Sequence, residues 1–348
     1  MSTPSTSSGF EADIREQPDA LRRLAAAEMP GELRSLASRG WDRIVFTGMG
    51  SSYFAGMPTS RELAASGRPT WCVDASTLLD TPGLLTPRTL VVATSQSGAS
   101  GEIVELLDRR PSGAVTAAAV IGITDDETSP LAKNADLFLP LNSGAEATVS
   151  TKSYLNTLGV HRLLTAAFTG EEESAVREEI DAMADAVASA IAAPSFGEIA
   201  ARLVAAPDRR IAMVGWADDA TTALYSALIV KESSKLAAEG FAGGAFRHGP
   251  YELAGEGLLA VLFSAAAPTV DRRLHALASD LVDSGAAVVI VGGEAPDGAI
   301  SIGLRGRTTV EGLATGAVAA ELIAVDLSHA NGVTPGSFAY GSKVTTAL

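Results

Sequence analysis

The chain is poor in the residues that carry redox and metal chemistry. It has one cysteine, Cys72, and four histidines scattered along 348 residues. A lone cysteine excludes an intrachain disulfide and a cysteine-based metal site, and the spread of the histidines argues against a histidine cluster. No metal and no cofactor are expected. Aromatics are 5% of the chain, so Ala, Val and Leu must fill the core that the 47% of apolar residues calls for. No apolar run approaches the roughly 18 uninterrupted residues of a membrane span. Basic residues are also short: 26 Lys and Arg against 41 Asp and Glu leave a net charge of −15. A field of that sign disfavours nucleic acid and anionic membrane, but it does not exclude a small anion held by local donors. The N-terminus, MSTPSTSSG, has no apolar segment of the signal-peptide kind. A cytoplasmic protein is expected, with residues 1–9 as a disordered tail.

What the sequence does contain is a regular alternation. Strand patterns occur at 43–47, 70–73, 90–93, 118–123 and 137–141, with helical patterns at 53–66, 101–109 and 130–134 between them and 150–169 and 172–192 after them. The stretch AAPSFGE reads as a linker. A second set follows, with strands at 210–214, 258–263, 287–291 and 299–304 and helices at 220–239, 270–284 and 312–331. Near the N-terminus a helical region covers 10–38, with Pro18 expected to break it or to start a new helix. Strands alternating with helices predict parallel sheets covered on both faces. Two such sets predict two α/β domains of similar architecture.

Four stretches carry candidate chemistry. In VFTGMGSSYFAG a strand ends at Gly48-Met49-Gly50, followed by Ser51 and Ser52 and a helix. In TLVVATSQSGASGEIVELL an apolar strand gives way to Ser95-Gln96-Ser97-Gly98-Ala99-Ser100 where a helix starts. Such strand ends are the usual ligand crevice of an open α/β sheet. Free N–H groups there suit an anion, and glycine admits close approach. Serines at these places also serve as plain helix caps, and one loop alone does not separate the two readings. Two matching loops tilt the balance to a phosphate site. Neither loop is a Walker or dinucleotide fingerprint. In the third stretch, KESSKLAAEGFAGGAFRHGPYELA, Glu232 sits on a helix and His248 follows a glycine-rich turn. A carboxylate and an imidazole can move protons beside a carbonyl; a surface Glu and a structural His are the alternative. In the fourth, Lys343 lies in YGSKVTTAL, where it is either solvated or placed to form an imine with a sugar carbonyl.

Taken in order, these stretches resemble the sugar isomerase (SIS) superfamily. They are most similar to the isomerase half of glucosamine-6-phosphate synthase and its stand-alone relatives, the amino-sugar-phosphate deaminases and fructosamine-phosphate deglycases. The resemblance implies an α/β fold of two SIS domains, each a parallel sheet flanked by helices on both faces. The implied division is a tail and helix at 1–30, a first domain at 31–190 and a second at 191–348. It also implies phosphate binding by Ser52, Ser95, Gln96, Ser97 and Ser100, where the family motifs read like GCGTS and SQSGET. Ala99 replaces the Glu of that second motif and Ser100 its Thr. Gly50, Ser51, Ser150 and Lys152 are implied as further substrate contacts, the last two in a segment resembling ASTK. By the same resemblance Glu232 moves the proton between C1 and C2, His248 opens the sugar ring and Lys343 forms the imine. The implied partners are a small sugar phosphate and a second copy of the chain, in a homodimer with the site at the subunit interface. Tyr225 and Ile229 stand where the synthase carries Glu and Lys. GSFAYGS replaces its Pro-Arg-Asn-Leu, and no glutaminase domain is expected. The implied activity is deamination with isomerisation of an amino-hexose 6-phosphate. Simple aldose–ketose isomerisation, deglycase activity and non-catalytic sensing are the alternatives.

Overall fold

The computed structural model describes residues 8–193, 195–266 and 272–347. The expected tail therefore lies outside the described residues from 1 to 7, as do the first two residues of the helix expected at 270–284. The chain forms two compact units. Residues 19–145, 152–182 and 341–347 make the N-terminal unit, and residues 8–18, 146–151, 183–193, 195–266 and 272–340 make the C-terminal unit.

The chain starts with α1 (Gly9–Ala26), which is continuous through Pro18, and α2 (Glu32–Ala37). The expected break at Pro18 does not occur. Interior proline costs about 3 kcal/mol, but Phe10, Ile14, Ala20, Leu21 and Leu24 are all buried along this helix. Several such burials, at roughly 1.5–3 kcal/mol for each large side chain, outweigh it.

The N-terminal unit then runs β1 (Arg43–Gly48), α3 (Ser51–Ala65), β2 (Thr70–Cys72), α4 (Ala75–Asp80), β3 (Thr89–Thr94), α5 (Gly101–Asp108), β4 (Ala119–Thr124), α6 (Pro130–Asn134) and β5 (Leu137–Pro140). After them come α7 (Lys152–Thr169) and α8 (Glu173–Ile191). All strand pairings are parallel, in the order β2-β1-β3-β4-β5. β1, β3 and β4 are apolar almost throughout because both faces are covered. Val45, Val91, Ala93 and Val120 pack with Leu78 of α4, Ile103 and Leu106 of α5 and Leu131 of α6. The opposite face meets α3 and α7, with the Phe46 ring 5.6 Å from that of His161.

The C-terminal unit contains α9 (Gly197–Ala205), β6 (Arg210–Gly215), α10 (Asp219–Ser234), β7 (Ala238–Ala242), β8 (Leu258–Phe263), α11 (Arg272–Asp283), β9 (Ala287–Val291), β10 (Ile300–Ile302) and α12 (Thr309–Ala330). Its sheet is again wholly parallel, in the order β10-β9-β8-β6-β7. Counted from its own first strand, that is the same topology. Alternation along β8 sends Leu258, Ala260 and Leu262 toward Leu274, Leu277 and Leu281 of α11. Leu259 and Val261 face the other way, toward Phe196, Ile323 and Leu327. Two elements differ from the sequence reading. α9, which was not expected, begins within the last two residues of the expected linker, Gly197 and Glu198, and runs on to Ala205. The helix expected to reach residue 239 stops at Ser234, where Lys235 turns left-handed at φ 62°, and the short edge strand β7 follows.

Both units end their first strand in glycine, and in both a Cβ would meet neighbouring backbone: that of β3 and then α3 for Gly48, and that of α10 for Gly215. A Cβ on Gly48 would lie 2.8 Å from the Thr94 carbonyl oxygen, and one on Gly215 would lie 2.1 Å from the Asp219 carbonyl oxygen. Gly215→Ala should therefore cost about 1–3 kcal/mol through forced backbone displacement. The expected outcome is a melting temperature several degrees lower by calorimetry. An unchanged melting temperature would contradict this close approach.

Candidate functional site

In a sheet of order 2-1-3-4-5 the connections leave in opposite directions from the two adjacent strands β1 and β3. The crevice at their carboxyl ends is where ligands of such folds bind. Both serine loops stand there. Gly50, at φ 52°, precedes α3, whose first residues are Ser51 and Ser52; the Ser52 N–H donates to Met49 O at 3.1 Å.

The second loop is a tight turn after β3. The Gly98 N–H donates to Ser95 O at 3.0 Å, with Gly98 at φ 62°. A Cβ there would lie 2.1 Å from Ser129 Oγ, so glycine is required. Gln96 is anchored through its carbonyl, which accepts from Thr124 Oγ1 at 3.0 Å and from the Asp125 N–H at 3.1 Å. Ser97 Oγ accepts from the Ala99 N–H at 3.3 Å. Ser100 is not a side-chain cap. It occupies the N-cap position of α5, yet its side chain makes no cap hydrogen bond. Its hydroxyl lies 2.9 Å from Ser95 Oγ instead. Two hydroxyls paired above a helix N-terminus are placed to donate to an anion.

The chain's tail belongs to this same unit. The Gly101 N–H donates to Thr345 O at 3.1 Å, so the segment carrying half-buried Lys343 passes over the start of α5. The sequence reading missed the support beneath the cradle. Thr94 Oγ1 lies 3.3 Å from His161 Nε2. His161 is buried, which pushes its pKa down to about 3 and keeps the ring neutral. No motif marks it, because a histidine in an apolar helix pattern reads as core. Lys152 is 2% exposed, with Nζ donating to Ala145 O at 2.6 Å. Cys72 is driven up to about 12 by burial, so it is not a nucleophile near neutral pH.

The C-terminal unit holds Glu232 in the last turn of α10. Burial raises its pKa to about 7; Lys235 and Lys231 oppose the rise and Glu146 adds to it. The Glu146 carboxylate itself accepts from the Thr151 N–H at 2.8 Å and from Thr151 Oγ1 at 3.0 Å. His248 is exposed after a short 3-10 turn, and its N–H donates to Ala245 O at 3.2 Å. Ser150 presents its carbonyl to Tyr225 Oη at 2.7 Å. Tyr225, two helical turns before Glu232, also lies 2.7 Å from the carboxyl of fully buried Glu321. A carboxyl is thus present where Tyr225 had suggested that charged support was lost. Sequence could not reveal this, since the two residues are 96 positions apart.

Among the described residues no helix is long and apolar enough to cross a membrane. Residues 39–167 match the SIS domain family. The chain is 29% identical over 300 residues to a glutamine–fructose-6-phosphate aminotransferase (isomerizing) of Shouchella clausii, covering 82% of this chain and 49% of that relative. The chain thus spans about half the length of that relative. A structure of glucosamine-6-phosphate deaminase from Thermotoga maritima aligns with a TM-score of 0.74 at 20% identity, over 97% of this chain and 99% of that one. A tagatose-6-phosphate ketose/aldose isomerase from Escherichia coli aligns with a TM-score of 0.75 at 24% identity, over 96% of each chain. Residues 39–167 thus match a SIS domain, and the whole chain shares the fold of these structures, two parallel sheets of one topology flanked by helices.

Proposed function

We propose that the protein processes a phosphosugar, deaminating and isomerising an amino-hexose 6-phosphate to a ketose phosphate and ammonia. The observation that carries this reading is Glu232, a carboxyl whose pKa of about 7 lets it both take and return a proton near neutrality. The likeness to a deaminase and an isomerase of phosphosugars supports it at the level of fold.

In this reading Ser52, Ser95, Gln96, Ser97 and Ser100 hold the phosphate by N–H and hydroxyl dipoles, with Gly50 and Ser51 as further substrate contacts. His248 assists ring opening to the 2-amino aldehyde. Glu232 removes the C2 proton, giving an enolamine, and returns it to C1. C2 is then a ketimine. Water adds to C2, the C–N bond breaks and ammonia leaves, so aminoaldose phosphate and water become ketose phosphate and ammonia. Alternatively Lys343 displaces ammonia from C2 by forming its own imine, and water then hydrolyses that imine to release the ketose and restore the free lysine. Ser150 and Lys152 contribute to the substrate contacts. We also propose a homodimer, in which the exposed His248 of one copy serves the site of the other. Simple ketose–aldose isomerisation uses the same proton transfer without loss of nitrogen. It is the second reading, supported by the likeness to the tagatose-phosphate isomerase.

Incubation with a panel of hexose and hexosamine phosphates, reading ammonia and ketose together, separates the two. Ketose without ammonia selects isomerisation, and turnover of none of the panel rejects both. Glu232→Gln should lower kcat by roughly 10²–10⁴-fold with KM little changed, and wild-type turnover by that variant would remove Glu232 from its role. Proton abstraction needs the carboxylate form. The wild-type rate should therefore rise with pH through an acid limb near 7, and that limb should vanish in Glu232→Gln.

A further inference from the structure

A hydrogen count around Tyr225 has consequences for the proposed base. Tyr225 Oη lies 2.7 Å from Ser150 O and 2.7 Å from Glu321 Oε1, yet a phenol has one proton to donate. The Ser150 carbonyl has none to give. Both contacts are hydrogen bonds only if the Glu321 carboxyl carries a proton, donates it to Tyr225 Oη, and Tyr225 donates its own to Ser150. Gln17 Nε2 donates to both carboxyl oxygens, to Oε2 at 2.7 Å and to Oε1 at 2.9 Å, and so supplies no proton acceptor to Tyr225. Gln17 and Glu321 are both wholly buried.

The carbonyl at the end of this chain belongs to a short strap, residues 146–151, which is tied down along its length within the C-terminal unit. The Ala147 N–H donates to Asp13 Oδ2 at 2.8 Å, and Thr148 Oγ1 donates to Gly336 O at 2.7 Å. Thr151 binds Glu146 through its N–H and hydroxyl, and Ser150 is held by Tyr225. The strap therefore fixes Glu146, whose charge raises the pKa of Glu232.

We propose that Glu321, as a neutral acid, is a positioning residue: through Tyr225 it anchors Ser150 and the 146–151 strap, and so sets the field of Glu146 at Glu232. Burial pushes the Glu321 pKa up to about 8; the hydrogen bonds that Tyr225 and Gln17 can give the ionised carboxylate oppose this, and the charges of Glu146 and Asp13 add to it. The groups facing it are Asp13 and Gln17 from α1, Glu146 from the strap and Tyr225 from α10. α9, also packed on α12, engages Asp326 instead, through the Phe196 N–H at the start of the helix. Ionisation of Glu321 removes the proton that orders the chain, and Tyr225 must then choose between Ser150 and the carboxylate.

The inference rests on Glu232 as the proton-transfer base for its kinetic consequence, but not for its structural one. Infrared difference spectra of the full chain against pH read the structural part without substrate. A protonated carboxyl should persist at neutral pH, disappear near pH 8 and be missing in Glu321→Gln. In the kinetic test, Tyr225→Phe should lower kcat about tenfold with KM nearly constant and should shift the acid limb of Glu232. Glu321→Gln, which keeps a neutral donor to Tyr225, should restore wild-type-like rates at pH 7 and hold them above pH 8, where the wild type declines. Infrared spectra in which Glu321→Gln loses no protonated carboxyl would overturn the proposal whatever the turnover. So would a Tyr225→Phe variant with the wild-type rate and acid limb. A chain that turns over no phosphosugar while the infrared result holds would instead reject the proposed function alone.

Discussion

A strand covered on both faces has no surface along its length on which to do chemistry. In a wholly parallel sheet every carboxyl end lies at the same edge, so ligands are left to the loops there. That constraint accounts for much of this protein. It makes β1, β3 and β4 apolar almost throughout. It puts the serine loops side by side where the connections diverge, and it requires glycine at the end of the first strand in each unit, where the next helix starts within a few residues.

The electrostatics follow from the same economy. The chain is strongly acidic, and the cradle is built from hydroxyls and N–H groups, which offer donors without moving the net charge. The pairing of Ser95 with Ser100 is weak on its own but holds both hydroxyls in one place, which would lower the entropy lost on binding the anion proposed for this cradle. In the C-terminal unit burial and neighbouring acids act together, and two carboxyls are held well above their usual range.

The strands of the sheets were legible because buried parallel strands are short apolar runs between turn residues, and that pattern is local. β7 was hidden: AEGFA has too little apolar character to announce an edge strand, and α10 ends on Lys235 without the usual glycine. α9 was hidden because GEIAARLVA is short and its first two residues belong to AAPSFGE, a stretch of small residues that resembles a linker. At the candidate site, the loops could be read from spacing and residue type. The Glu321–Tyr225–Ser150 chain could not, because it joins residues from three distant stretches and depends on where one proton resides.

The make-up of the units also bears on inheritance. The strap 146–151 counts with the C-terminal unit, although both its flanks count with the N-terminal one, and the final residues 341–347 return to the N-terminal unit. Each unit is assembled from separate stretches of sequence, so no single cut yields two whole ones. A recombination joining either half to a foreign partner would carry the sheet but lose the strap or the tail.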